Sequence, residues 1–362
     1  MPARRTTRPA RKQAEIDVTI RNRITSGVYP PGELLPRRAD LQTEFSVSGG
    51  TIQQVFDALL ADGFIATNGR GGTVVVERPP HLHRIAVVFP TEPRSSRFWV
   101  ALANEARAMA ERGERELVIY EGVDAREHNR DYARLLADAR AQRLAGIVFA
   151  SSPHDMEGSE LLAVDIPRVA IKAGNSMVAM PGVYPDMDSF IARAVGHLVE
   201  RGCQRVAALV VEGFPGAALR RELARLGCSP DPWLVQAVPL NGVGPTWARS
   251  LTQLLFQPGQ RQLPDGLIIA DDNLVEHALG GLVDAGVRVP AEVAVVAHCN
   301  FPWPAPSVLS VQRLGFDALQ VLRACLTAVD QRLAGRPCAG HTPVAARFED
   351  ETESPAASIS PA

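Results

Sequence analysis

The sequence predicts an α/β protein in two parts. A small N-terminal α+β unit of helices and a hairpin precedes a larger body of doubly wound parallel sheets in two lobes. Three observations predict this. Amphipathic helical stretches occupy residues 14 to 63 and end in a glycine-rich hairpin. From residue 84 onward, continuous apolar runs bounded by turn residues alternate with helical stretches, the pattern of parallel strands buried on both faces. That alternation continues for about 260 residues, long for one sheet, which predicts two lobes.

The first helix runs from Ala14 to Gly27, with Ile16, Val18, Ile20 and Ile24 as its apolar positions. Pro30 and Pro31 forbid helix in the link VYPPGELLP. A short helix follows over Arg37 to Phe45, then a tight turn at Ser46-Val47-Ser48. Ser48 can cap a helix reaching Gly63, which buries Ile52, Val55, Phe56, Leu59 and Leu60. FIATNGRGGTVVVE then reads as two short strands around a glycine-rich tip. Two helices, a turn, a third helix and a hairpin make a winged helix-turn-helix. In that motif the helix after the turn can enter the major groove while the wing touches the backbone or minor groove.

This stretch resembles the GntR family of bacterial regulators over about residues 14 to 77. The matching groups are Ile24, Gly27, Tyr29, Pro31, Gly32, Leu35 and Pro36; then Leu41, Phe45, Val47, Ser48, Thr51 and Ile52; then Leu59, Gly63, Phe64, Ile65, Gly69, Gly71, Gly72, Thr73 and Val75. The resemblance implies a dimeric operator-binding head. Its DNA-facing candidates are Arg37, Arg38, Ser48, Gly49, Thr51, Gln53, Gln54, Arg70 and Gly71. The chain departs from the family where arginines are usual, at Ala39, Gly49 and Gln53. Glutamine suits adenine edges and arginine guanine, so the operator should differ from the common pattern. The rival reading is a head that no longer reads DNA.

In the body, RIAVVFP (84 to 90), ELVIYEG, AGIVFAS, IPRVAIK, GVYPDM, RVAALVV, LVQAVPL, DGLIIADD and VAVVAH read as strands. Helices lie between them at Trp99 to Gly113, Glu127 to Gln142, Ser189 to Gly202 and around Trp247 to Phe256, and a last helix covers Gly315 to Ala334. The body resembles the LacI/ribose-binding-protein superfamily, the periplasmic-binding-protein-like fold, over about 84 to 348. The resemblance is carried by Asp265 to Asp272, Gly286 to Val296, Val183 to Asp188 and Gly202 to Leu209. It implies an effector cleft between lobes, at the C-terminal ends of strands. Candidate lining residues are Arg97, Phe98, Trp99, Ser151, Lys172, Asp186, Asp272, Asn300 and Trp303. Phe98 and Trp99 can stack on a ring or pack in the core. Asp186 and Asp272 can bind hydroxyls or cap the helices after them. The position where the family commonly places a sugar-binding aspartate is Cys299, followed by Asn300.

The expected organisation is a disordered basic arm (1–13), a winged helix-turn-helix domain (14–78), a linker (79–83), the two-lobed body (84–348) and a disordered tail (349–362). The arm carries Arg4, Arg5, Arg8, Arg11 and Lys12 without an acid, and suits either phosphates or solubility. The five cysteines form no C-x-x-C pair, which argues for a reducing compartment. No apolar run reaches the roughly 18 residues of a membrane helix, and the N-terminus lacks a signal-peptide core. A cytoplasmic protein is expected. There is no phosphate-binding loop and no nucleophile elbow, and His298 and Cys299 point to opposite strand faces. No enzyme activity, cofactor or metal is expected. The expected function is a ligand-controlled, homodimeric repressor whose partners are operator DNA and a small, sugar-like effector. The alternative is a sensor or scaffold with a degenerate head.

Overall fold

The computed structural model describes residues 8–124, 130–172, 180–228, 231–240, 242–260 and 262–352. Helix α1 (Arg8–Thr25) buries Ile16, Ile20 and Ile24 at i, i+4 and i+8. Its start corrects the expected disordered arm (1–13) over residues 8–13, which the helix takes in, while residues 1–7 lie outside the described residues. Pro9 falls in the first turn, where proline is tolerated. Arg11 pairs with Glu15 one turn on, at 3.2 Å, and Lys12 Nζ donates to Ser46 O at 3.1 Å. Val18, expected on the apolar face, is exposed.

Helices α2 (Arg38–Phe45) and α3 (Gly49–Ala61) meet at Ser46, whose φ of 52° lets the chain reverse between them. Strands β1 (Ile65–Thr67) and β2 (Thr73–Val75) form the hairpin, with Ile65 opposite Val75. The link after α1 adds a third rung that periodicity did not predict. Leu34 bridges Val74, and the Gly32 and Leu35 amides donate to the Val75 and Thr73 carbonyls. The linker is also ordered: α4 (Pro80–His83) stacks His81 on Phe64 with ring centres 5.9 Å apart.

The first lobe contains β3 (Arg84–Val88), α5 (Arg97–Glu111), β4 (Glu116–Tyr120), α6 (Arg130–Arg140), β5 (Gly146–Phe149), α7 (Glu160–Ala163), β6 (Arg168–Ile171) and β7 (Gly182–Asp186). The chain then crosses into the second lobe. That lobe holds α8 (Met187–Glu200), β8 (Val206–Val210), α9 (Gly216–Arg225), β9 (Val235–Ala237), α10 (Gly244–Leu255), β10 (Gly266–Ile269), α11 (Asp272–Asp284), β11 (Ala294–Phe301) and β12 (Gln312–Asp317). It returns with α12 (Ala318–Leu333) and β13 (His341–Ala345) in the first lobe, and ends with β14 (Arg347–Phe348) in the second. The sheet orders are β4-β3-β5-β6-β7-β13 and β9-β8-β10-β11-β12-β14, parallel except for β14. Each sheet is apolar on both faces, as its continuous hydrophobic runs require.

The chain passes between lobes at Asp186–Met187, Asp317–Ala318 and Ala346. Asp186 accepts from the Asp188 and Ser189 amides at 3.1 and 3.2 Å, and Asp317 accepts from the Gln320 amide at 3.0 Å. Two passages are tied together by Ser189, whose Oγ donates to Asp186 O at 2.7 Å and accepts from Ala346 N at 2.8 Å.

Two further expectations are corrected here. Gly315 lies in β12, not at the start of the last helix, because β12 runs so close to β11 that a Cβ there would sit 1.7 Å from Cys299 O. The tail is ordered through Thr352, where Glu349 pairs with Arg313 at 2.9 Å and Glu351 pairs with Arg193. Gly315→Ala should lower unfolding stability by about 1–3 kcal/mol, the usual cost of forcing atoms into a packed core. A urea titration checks this, and an unchanged midpoint would show that the strands can separate to admit the methyl.

Candidate nucleic-acid face and interlobe cleft

The N-terminus of α3 is built by its cap. The Thr51 amide donates to Ser48 Oγ at 3.4 Å, and the two hydroxyls lie 3.1 Å apart. These two residues therefore set where the helix begins. Arg37, Arg38 and Gln54 are exposed. The Arg38 guanidinium lies 5.2 Å from the Phe56 ring centre, which holds it over the α2–α3 corner. Gln53 is less free, because its Nε2 donates to Asp57 Oδ1 at 2.7 Å. A Cβ at Gly49 would meet only the flexible end of Gln42, at 3.3 Å. Gly71 closes the wing tip through its amide to Asn68 O at 2.7 Å. The Arg70 side chain lies outside what the structure describes.

In the body, the C-terminal ends of the strands face each other across the lobes. Asp271 caps α11, accepting from the Asn273 amide at 2.9 Å. Asp272, in the first turn, is only 2% exposed and accepts from Asn300 Nδ2 at 2.7 Å. Burial raises the Asp272 carboxyl above its ordinary pKa, although His298 and the Asn300 amide pull it down. Beside this pair, the His298 ring packs 5.5 Å from Phe190 and 5.6 Å from Phe316. Its Nδ1 has no hydrogen-bond partner among the described residues.

The lobes touch through polar contacts of their own. The Arg97 amide donates to Asn273 Oδ1 at 3.2 Å, and its guanidinium lies 3.4 Å from Glu276. Trp303 Nε1 donates to Glu105 Oε1 at 3.0 Å, and Glu105 is 6% exposed. Each contact joins α5 of the first lobe to the rim of the second.

Comparison with known proteins follows this division. Residues 12–75 match the family of bacterial regulatory proteins, gntR family. Residues 195–347 match the periplasmic binding protein-like domain. The chain joins a GntR-type head to a periplasmic-binding-protein-like body. It is 28% identical over 89 residues to the pyridoxine biosynthesis transcriptional regulator PdxR of Corynebacterium glutamicum. That match covers 25% of this chain and 19% of the relative, so the chain spans about a fifth of that regulator's length. Among solved structures, a LacI transcriptional regulator from a Rhodococcus species superposes with a TM-score of 0.57 at 20% identity, covering 73% of this chain and 96% of that one. The Escherichia coli transcriptional repressor ascG gives 0.56 at 17% identity, covering 74% and 97%. The transcription regulator CcpA of Lactococcus lactis gives 0.57 at 14% identity, with the same coverages. These likenesses establish the fold of the body.

Within the GntR-type head, Arg37, Arg38, Ser48, Gly49, Thr51, Gln53 and Gln54 lie on or next to α2 and the first turns of α3, while Gly71 lies at the wing tip. Asp57 was missed, although its spacing from Gln53, one helical turn, could have shown it. Within the body, Asp272 and Asn300 lie at the adjacent ends of β10 and β11 in the second lobe, while Arg97 and Trp303 make contacts between the lobes. Lys172 is buried just past β6, and Ser151 lies just past β5. Phe98 and Trp99 sit partly in the first-lobe core, Trp99 edge-on to Phe89 at 6.4 Å. Asp186 spends its Oδ1 on capping α8. Glu105, Asn273 and Glu276 were missed, since their partners are more than 170 residues away in sequence, and the packing of His298 was missed because Phe190 and Phe316 come from α8 and β12.

Gly49→Arg should tighten binding to any duplex and steepen the slope of log K against log salt by about 0.9, the value of one added phosphate contact. Anisotropy titrations between low and moderate salt read this, and an unchanged slope would place the α3 N-terminus off the DNA. Trp303→Phe should leave Glu105 buried without its donor and cost about 1–3 kcal/mol. Unfolding in urea at neutral pH measures this, and a loss below about 0.5 kcal/mol would mean that the lobes do not meet there.

Proposed function

We propose that this chain is a DNA-binding transcription regulator, acting as a repressor, whose affinity for an operator is set by a small molecule held between the two lobes. It works by binding rather than by catalysis. The observation that carries the reading is the buried Asp272–Asn300 pair at the neighbouring C-terminal ends of β10 and β11 in the second lobe, beside the contacts that Arg97 and Trp303 make across the lobes, in a body attached to a winged helix. Buried polar groups away from water are costly unless paired, and their place at strand C-termini is where doubly wound folds bind ligands. A ligand with hydroxyl or amide groups can replace the cross-lobe contacts of Arg97 and Trp303, and so change the angle between lobes. By linkage, whatever binds one lobe angle better shifts the heads towards the matching arrangement. A carbohydrate is the first class to try, with Asp272 and Asn300 meeting hydroxyls.

A second copy of the chain is part of the proposal. On α10 and the turn before it, Val243, Trp247 and Leu254 recur at helical spacing with 50%, 52% and 58% exposure, and Trp233, in the turn before β9, is 45% exposed. Large apolar groups grouped in this way mark an interface, and two heads are needed to read a two-fold site. No described helix is long and apolar enough to cross a membrane, in keeping with action in the cytoplasm.

The test uses the full chain. Duplexes selected from a random library are titrated by anisotropy over a salt series, and a thermal-shift screen runs against sugars and nucleosides. The reading expects a preferred sequence and a compound that raises Tm and alters affinity for that sequence by fivefold or more, the range of about 1–3 kcal/mol typical of coupling. It fails if no duplex is preferred at any salt, or if every stabilising compound leaves DNA affinity unchanged.

A further inference from the structure

The head does not hang from its linker. Arg21, on α1, is 4% exposed and lies between head and body. Its guanidinium donates to Asp17 at 2.7 and 3.2 Å, to Asp62 at 2.5 Å, and to the carbonyl of Ala141 in the first lobe at 3.2 Å. From the body, Arg143 reaches the same Asp62 carboxylate at 3.2 and 3.3 Å while holding Asp138 at 2.8 Å. Asp138 in turn accepts from the hydroxyl of Tyr120, on strand β4. Beside this chain of charges, Gln142 Nε2 donates to Asn22 Oδ1 at 3.0 Å.

Two local features go against ordinary preference and make sense only together. Asp62 is the C-cap of α3, where the helix dipole disfavours an anion. Two arginines, one from each domain, offset this. Gln142 has φ +57°, a left-handed conformation that side chains adopt rarely, and so bends the chain after α6 towards the head. Ala141 O, just past the end of α6, meets the Arg21 cation, the favourable sign at a helix C-terminus.

We infer that Asp62, Arg21 and Arg143 are positioning residues that clamp the C-terminal end of the DNA-facing helix to the first lobe, so that head and lobe move as one body. Strand β5 begins at Gly146, three residues after Arg143, and Ser151 lies just past its other end at the cleft. A change of lobe angle at the cleft is thus carried to α3 by a packed strand and a fixed charge cluster rather than by tension in the linker. The consequence for DNA is spacing: two clamped heads accept half-sites at one separation only. That part rests on the regulator reading, whereas the clamp itself does not.

The experiment therefore has two arms, both on the full chain. In the first, hydrogen exchange is followed in peptides covering residues 17–25 and 138–145. In Arg143→Ala both segments should lose protection about tenfold, while peptides within Ile52–Leu59 keep theirs. Asp62→Asn, which also loses Arg21, should do at least as much, and the double variant should be no worse than Asp62→Asn alone, because Arg143 reaches the head through Asp62. Equal exchange in wild type and variants, or effects of the two substitutions that add, would overturn the clamp. In the second arm, duplexes are selected from a random library. Wild type should recover half-sites at one spacing, and Arg143→Ala the same half-site at several. One unchanged spacing in both would overturn the positioning role. If wild type recovers no sequence, the regulator reading falls while the exchange arm still decides the clamp.

Discussion

Two parallel sheets can share a cleft only where the chain can pass from one to the other without leaving backbone groups unsatisfied. Here that constraint is met at three adjacent passages, and the rest of the body is arranged around them. Asp186 and Asp317 each end a strand and begin a helix, accepting the first free amides of α8 and α12. Ser189 links the first passage to the third through its hydroxyl. Because the strands on both sides stop at these passages, their C-terminal ends meet, and the polar residues that follow them are brought face to face. The meeting of the two lobes is thus a product of where the strands end.

Most of the buried polar side chains among the described residues fall in two places. Lys172, Asp272 and Asn300 lie at or just past strand C-termini, Glu105 receives Trp303 from the other lobe, and Arg21 lies between head and body. Burying such groups opposes folding unless each is well paired. A sheet protein of this size has apolar surface enough to do without them. Their concentration at the two places where one rigid unit meets another fits a molecule in which relative placement of units carries the function.

The sheets were legible because each strand is buried on both faces and so reads as an unbroken apolar run, as in RIAVVFP and DGLIIADD. The head was legible through its glycines, prolines and Ser48, which set turns and caps locally. What was missed depended on contacts across distance. Arg8 to Gln13 joined α1 because Glu15 and the Ser46 carbonyl were there to receive Arg11 and Lys12. Gly315 was assigned to a helix because its reason for being glycine is the carbonyl of Cys299 on the next strand. Sequence alone allows both capping and binding for Asp186 and Asp272. The structure makes Asp186 a cap, gives the α11 cap to Asp271, and joins Asp272 to Asn300.

By itself the sequence determined the kinds of element, their order, and the division into a winged head and a doubly wound body, since these follow from hydrophobic period and turn chemistry within a few residues of each position. Only the tertiary structure decided which polar groups meet. Arg97 with Asn273, Trp303 with Glu105, and Arg143 with Asp62 are far apart along the chain. Such pairings depend on how whole lobes pack, and a local pattern holds no record of the distance between surfaces that folding has yet to bring together.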